Sequence, residues 1–362
     1  MKKTLDFLFK TSKFNRYFAP LLIFVPLSLF MNYSQASPGL LFITSVLAIL
    51  PLAKFIGDAT EEIAKHSSTV MAAITNASFG NSVELLIAFF AIQAGLFEIV
   101  KASIVGSIIG NILLILGMSM FFGGLIYKEQ KFNTESVGIA STMLIISVAG
   151  LAIPTVYSFT TSNGGTQLLS PIVAGVLALI YILGLIFTLF THKHLFDTSD
   201  TYALRRTKPE WSKQRTYFIL FFSVLFVAVE AEILVGSMEA GINAWGLTQT
   251  FVGAVIVAII GNAAEHSSAI IAAVKNNMDL AIEISIGSTT QVALFVVPIL
   301  VFLSMLIGKP FSLVFSIFQI IAVFIAVMIV NYLSTDGTCN WLEGAQLISV
   351  YLIIAAAFYF IV

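Results

Sequence analysis

Two acidic residues lie deep in apolar sequence, each behind the same neighbours: Gly80-Asn81-Ser82-Val83-Glu84 and Gly261-Asn262-Ala263-Ala264-Glu265. An acid in the middle of a membrane-length run costs about 2.5–3.5 kcal/mol on insertion scales, so it is rarely kept without a function. Glycine followed by asparagine weakens a helix locally, glycine through backbone entropy and asparagine through competing side-chain hydrogen bonds. Carbonyls freed by a broken helix are tolerated at membrane depth only where they line a cavity. Two carboxylates, two side-chain amides and freed carbonyls together make an all-oxygen cage. Such ligands suit a hard cation, and six to eight of them suit Ca²⁺. The single cysteine, Cys339, is too far along the chain to suggest a thiolate site for Zn²⁺ or Cu⁺. Two ionised carboxylates are matched by one divalent cation or by two protons. Emptied of both, the site holds two like charges in poorly hydrated surroundings, which drives it to take up one or the other. Competition for the same oxygens is antiport chemistry, and no P-loop is present to couple it to a nucleotide.

The elements that must position these acids are membrane helices. Of 362 residues, 58% are apolar and 10% charged; an ordinary soluble domain carries roughly 25% charged residues. Too few charges exist to coat a water-facing surface. This excludes a secreted disulfide scaffold, a disordered tail protein and a nucleic-acid binder. Apolar windows of about 20 residues predict eleven spans, at 17–33, 39–64, 68–93, 97–124, 134–155, 168–191, 216–240, 247–274, 278–305, 311–333 and 342–361. The first follows a basic start and resembles a signal peptide, but a polytopic protein usually retains its first span. Glu84 and Glu265 fall near the middles of spans three and eight.

The fold class predicted is an all-α polytopic membrane protein with eleven transmembrane helices. The two Gly-Asn-x-x-Glu stretches lie 181 residues apart, and the same offset pairs Thr69 with Thr250, Glu98 with Asp279, and Gly106-Ser107 with Gly287-Ser288. Equivalent spans are five apart, an odd number, so the halves should be upside-down relative to one another, as in many secondary transporters. The organisation is therefore an inverted five-plus-five repeat behind one extra N-terminal helix. Residues 1–38 are the cytoplasmic N-terminus and first span, 39–192 the first repeat, 193–215 a cytoplasmic linker and 216–362 the second repeat. Fifteen Lys and Arg fall on the inner side of this arrangement and two, Lys101 and Lys309, outside. The positive-inside rule then puts the N-terminus in the cytoplasm and the C-terminus outside.

The paired motifs, with Asn76-Ala77-Ser78-Phe79 ahead of the first and His266 after the second, resemble the Ca²⁺/H⁺ antiporter family within the calcium/cation antiporter superfamily. Gly106-Ser107-Ile108-Ile109-Gly110-Asn111 and Gly287-Ser288-Thr289-Thr290-Gln291 resemble its fourth and ninth helices. The resemblance covers about residues 39–361. It implies that Glu84 and Glu265 hold the cation with backbone oxygens near Gly80 and Gly261, that Asn81, Asn262 and Gln291 line the site, and that helices 2 and 7 slide to alternate access. Eukaryotic relatives carry an acidic segment between helices 6 and 7; here the linker is net basic, which suggests a bacterial-type member of an inner cell membrane. Ca²⁺ would be cargo, with no cofactor and no enzymatic step. Ca²⁺, H⁺ and the bilayer are the partners, and the sequence is compatible with a homo-oligomer.

Other polar residues carry open readings. His266 adjoins Glu265 and titrates near neutrality in its ordinary state. Glu61, Glu230, Glu232 and Glu239 are candidates for a vestibule, although charges near a span's end, Glu62 included, also simply meet water. Ser107 and Ser288 offer hydroxyl ligands or small-residue packing. Trp211, Trp245 and Trp341 are expected at membrane interfaces, and His66 at a solvated turn. The rival functions are a Na⁺/Ca²⁺ exchanger and another divalent-cation antiporter, for Mn²⁺ for example. The Thr/Ser-x-Pro-Glu/Asp type of motif of the Na⁺-coupled branch is missing before Glu84 and Glu265.

Overall fold

The computed structural model describes residues 18–160, 166–192 and 209–361. The basic N-terminal stretch and most of the basic linker lie outside the described residues. In chain order the helices are α1 (Ala19–Tyr33), α2 (Pro38–His66), α3 (Thr69–Phe79), α4 (Ser82–Ala94), α5 (Phe97–Tyr127), α6 (Thr134–Thr160), α7 (Leu168–Thr191), α8 (Lys213–Trp245), α9 (Gln249–Gly261), α10 (Ala263–Val274), α11 (Met278–Leu306), α12 (Ile317–Leu333) and α13 (Trp341–Phe360). Two short strands, β1 (Glu129–Lys131) and β2 (Thr338–Asn340), pair antiparallel. The chain is thus nearly, not wholly, helical. Among the described residues eight helical spans are long and apolar enough to cross a membrane, α3 and α4 counting together as one (Val70–Ala94), or nine with the bent pair α9 and α10 also counted as one span. The other two predicted spans coincide with shorter apolar helices, α1 and α12.

The chain forms two compact units, each drawing on both halves of the sequence. The first takes in the described residues up to Phe90 and those from 209 to Gly246; the second takes in the remainder, from Ala91 and from Leu247. In the first unit, α2 buries Ala48, Ile49, Leu52, Ala53, Ile56, Ala59 and Ile63 at three- and four-residue spacing, the signature of a single apolar stripe. It packs along α8, which buries Leu220, Val227, Ala231, Leu234 and Met238 on a matching stripe. One end of this pair is closed by Trp245, edge-on to Phe42 at 5.5 Å between ring centroids.

The other end of that pair corrects three expectations. Glu62 does not meet water: it is buried, accepts Lys65 Nζ at 2.6 Å, and takes the backbone N–H groups of Glu210 and Trp211 at 3.0 and 3.1 Å. His66 is not free in a solvated turn, since its Nε2 lies 2.8 Å from the Trp211 carbonyl. Trp211 is buried, with the Arg215 guanidinium 4.9 Å from its ring centroid. Backbone N–H groups taken out of water need partners, and those of the segment leading into α8 find one on α2. Trp245 and Trp341 do keep large exposed areas.

In the second unit α5 is the central helix: 89% of its apolar window is buried, against 17% for α7. Glycine permits that depth. A Cβ on Gly106 would lie 2.1 Å from the Ala254 carbonyl oxygen, and one on Gly253 would lie 2.6 Å from that of Ile99. The backbones of α5 and α9 therefore touch.

Residues 311–316, expected to begin a helix, are extended instead. Phe311, Leu313 and Phe315 are buried while Ser312 and Val314 are less so, the alternation of a strand. Their N–H groups are satisfied by hydroxyls, Phe311 by Ser304 at 2.8 Å, Leu313 by Ser170 at 3.0 Å and Phe315 by Thr155 at 2.9 Å. The helix starts only after Ser316, which forms a capping box with Gln319. That Ser-x-x-Gln signal was present in the sequence.

Connections predicted to share a side are found together. β1, from the α5–α6 connection, pairs with β2, from the α12–α13 connection, in the register Glu129 with Asn340. Gln130 Nε2 then donates to the Ala273 carbonyl and to Asn276 Oδ1, at 2.9 and 3.0 Å, in the α10–α11 turn. All three connections were placed inside. Helix boundaries also recur at the 181-residue offset. Phe97 and Met278 both open helices, and α5 and α11 both pass into π-helical turns, at Gly110–Ile115 and Val292–Val296.

Candidate functional site

Each Gly-Asn motif interrupts a helix. In the first unit α3 ends at Phe79 and α4 begins at Ser82, with Glu84 in its first turn. Gly80 is seated so that a Cβ would lie 2.6 Å from the Asn76 carbonyl oxygen. Asn81 and Glu84 are both buried. The Asn81 carbonyl accepts Leu85 N–H at 3.0 Å, and the Ser82 hydroxyl returns to the Phe79 carbonyl at 2.7 Å, so side chains share in closing the break.

In the second unit the interruption is sharper. α9 stops at Gly261, Asn262 takes φ −95° and ψ 9°, and α10 departs at 63° to α9. Glu265 stands in the first turn of α10, where the partial positive charge of a helix start favours a carboxylate. No salt bridge among the described residues involves it.

Instead, Glu265 is bonded by one hydroxyl of α11, which belongs to a network reaching α5. The Ser288 hydroxyl donates to Glu265 Oε2 at 2.6 Å. Its alternative acceptor, Asn262 Oδ1, is farther, at 3.4 Å; with one proton to give, the nearer oxygen takes it. Asn111 Nδ2 donates to Ser288 Oγ at 3.0 Å and to Asn262 Oδ1 at 3.3 Å. Asn262 Nδ2 in turn donates to Ser107 Oγ at 3.1 Å and to the Ala258 carbonyl at 2.9 Å. Ser107, Asn111, Asn262 and Ser288 are all buried. Gln291 is the last residue before the π turn of α11, and His266 follows Glu265 with its Nε2 buried.

The structure thus brings together Asn262, Glu265, Ser107 and Ser288 and adds Asn111, which had no assigned role. Asn111 lies one helical turn after Ser107, a four-residue spacing that puts both on one face. Among the described residues no three His, Cys, Asp or Glu side chains converge. A cation held here must therefore complete its shell from amides, hydroxyls and carbonyls.

The vestibule candidates separate. Glu61, Glu232 and Glu239 are exposed. Glu230 is fully buried in the first unit, where the Ser28 hydroxyl of α1 lies 2.6 Å from both its carboxylate oxygens.

A model of the sodium/calcium exchanger protein family matches residues 37–190 and 215–360, most of the chain and both motif-bearing halves. The chain belongs to this family. Members are transporters rather than enzymes, and this one is a multi-pass membrane protein of the bacterial Ca²⁺/H⁺ antiporter type. It is 40% identical to a Ca²⁺/H⁺ antiporter of Aphanothece halophytica, over 96% of this chain and 97% of that one. It is 39% identical to the Ca²⁺/H⁺ antiporter ChaA of Bacillus subtilis, over 92% and 96%. The solved structure of native YfkE superposes with a TM-score of 0.84 at 36% identity, covering 95% of this chain and all of that one.

Proposed function

We propose that the protein exchanges Ca²⁺ for H⁺ across a bacterial cell membrane by alternating access, with Glu84 and Glu265 as the acids for which cation and protons compete. The observation that carries this reading is Glu265 itself. It is a carboxylate at a helix break within a predicted span, with no salt-bridge partner among the described residues, bonded by the Ser288 hydroxyl, which a buried network of Asn111, Asn262 and Ser107 adjoins. A carboxylate so placed needs a counter-charge that can come and go. Gly80, Asn81 and Glu84 stand at a gentler interruption of the same sequence pattern, and the recurring helix boundaries support an inverted pair of repeats.

Gln291 and His266 border the acid site. Glu61, toward the His66 end of α2, and Glu239, toward the Trp245 end of α8, would draw cations to the two mouths. The N-terminus lies in the cytoplasm and the C-terminus outside. The names of the relatives agree with Ca²⁺ and H⁺ as the exchanged ions.

The test is ⁴⁵Ca²⁺ uptake into vesicles of purified protein. An imposed pH gradient should drive uptake in the wild type, and Glu84→Gln and Glu265→Gln should each abolish it while the proteins still insert. Uptake that follows a Na⁺ gradient and ignores pH would replace this reading with sodium coupling.

A further inference from the structure

A recess in the first unit has no part in the exchange chemistry above. It is open on one side and holds about 440 Å³ between α1, α2 and α8, in volume within the range of ligand pockets. Leu29, Leu41 and Ile233 supply apolar wall, while Asn32, Glu232 and Ser237 bring one carboxylate and two neutral polar groups. Ser237 donates its proton to the Leu234 carbonyl at 3.0 Å, which leaves the hydroxyl oxygen as an acceptor. Among the described residues no lysine, arginine or histidine lines the space.

We propose that this cavity binds an amphiphilic organic ammonium, its headgroup on Glu232, Asn32 and Ser237 and its apolar part on the leucine and isoleucine walls. Charge and size select this class. A divalent metal ion wants six to eight oxygens, and one carboxylate with two neutral groups falls well short. The volume also exceeds what a bare ion fills. An anionic ligand would face Glu232 with no cation to offset the repulsion, and a phosphate-bearing lipid headgroup meets the same obstacle. A primary ammonium matches the single negative charge, offers three N–H donors to three acceptors, and carries the tail that the apolar wall requires. This assignment also moves Glu232 out of the cation vestibule.

The experiment measures thermal unfolding of the full chain in phosphatidylcholine nanodiscs titrated with dodecylamine. A ligand that binds only the folded state raises the midpoint in a saturable way. The wild type should show that rise, dodecanol should not produce it, and Glu232→Gln should need about tenfold more amine, the cost of one lost charge contact of about 1.4 kcal/mol. Asn32→Ala, which leaves the charge in place, should weaken binding by a smaller factor. A wild type indifferent to dodecylamine, or a Glu232→Gln protein stabilised at the same concentrations, overturns the proposal. So does a rise produced by phosphatidylethanolamine nanodiscs in place of the free amine, since the phosphate would then be tolerated.

Discussion

At the residue scale, one serine is the direct side-chain partner of Glu265. The Ser288 hydroxyl donates to Glu265 Oε2 at 2.6 Å, and a hydrogen bond to a charged group is worth about 1.5–3 kcal/mol. Under the proposed function that bond holds the carboxylate in place for the cation. Ser288→Ala should therefore raise the half-saturating Ca²⁺ concentration about tenfold at fixed pH, read from the concentration dependence of ⁴⁵Ca²⁺ flux, while Ser288→Thr retains most of the affinity. Cys339 offers a pH test outside the membrane. Burial, with Glu343, Asp336 and Glu129 nearby, pushes its thiol up to about 12 from an ordinary 9.0. The thiol stays protonated in the folded protein at neutral pH and should resist maleimide at pH 8 until the chain is unfolded. Because the folded value is the higher, the contribution of this group to stability is complete below about pH 9 and is lost as the pH climbs toward 12. Melting temperatures of wild type and Cys339→Ser across that range should diverge in this sense.

At the element scale, the site depends on how closely α5 and α9 approach. Gly106 touches the Ala254 carbonyl so nearly that a methyl group has no room, and the obstacle is backbone, which cannot rotate away. Gly106→Ala should cost about 3 kcal/mol, the upper range for overpacking, and appear as a lower unfolding temperature with lost monodispersity. Gly110, on the same helix, has nothing within 4 Å of an added Cβ and should tolerate alanine far better. The composition of Gly-x-x-x-Gly sequence does not separate these two residues; only the neighbouring helix does. The extended run at 311–316 teaches a similar lesson. Its apolar residues suit a membrane helix by hydropathy, yet Pro310 disfavours helix just before it. Hydroxyls from Ser304, Ser170 and Thr155 then provide the bonds an extended backbone needs.

At the scale of the whole molecule, the two sets of connections have opposite predicted sides. With Cys339→Ser as background, single cysteines at Lys131 and Asn276 should be labelled by an impermeant maleimide only from the cytoplasmic face. Cysteines at Lys101 and Lys309 should be labelled only from outside. Labelling of all four from one face would discard the topology. The sequence by itself determined that the chain is a membrane protein, where most of its helices fall, and which acids stand at helix breaks. These follow from local physics: hydropathy, residue spacing and the weakness of Gly-Asn in a helix. Tertiary structure alone decided that Ser288 bonds Glu265 and is itself bonded by Asn111, that Glu62 binds backbone rather than water, and that Glu230 is buried against Ser28. Each of these contacts joins residues far apart in the chain, and their partners are set by helix packing that no local pattern encodes.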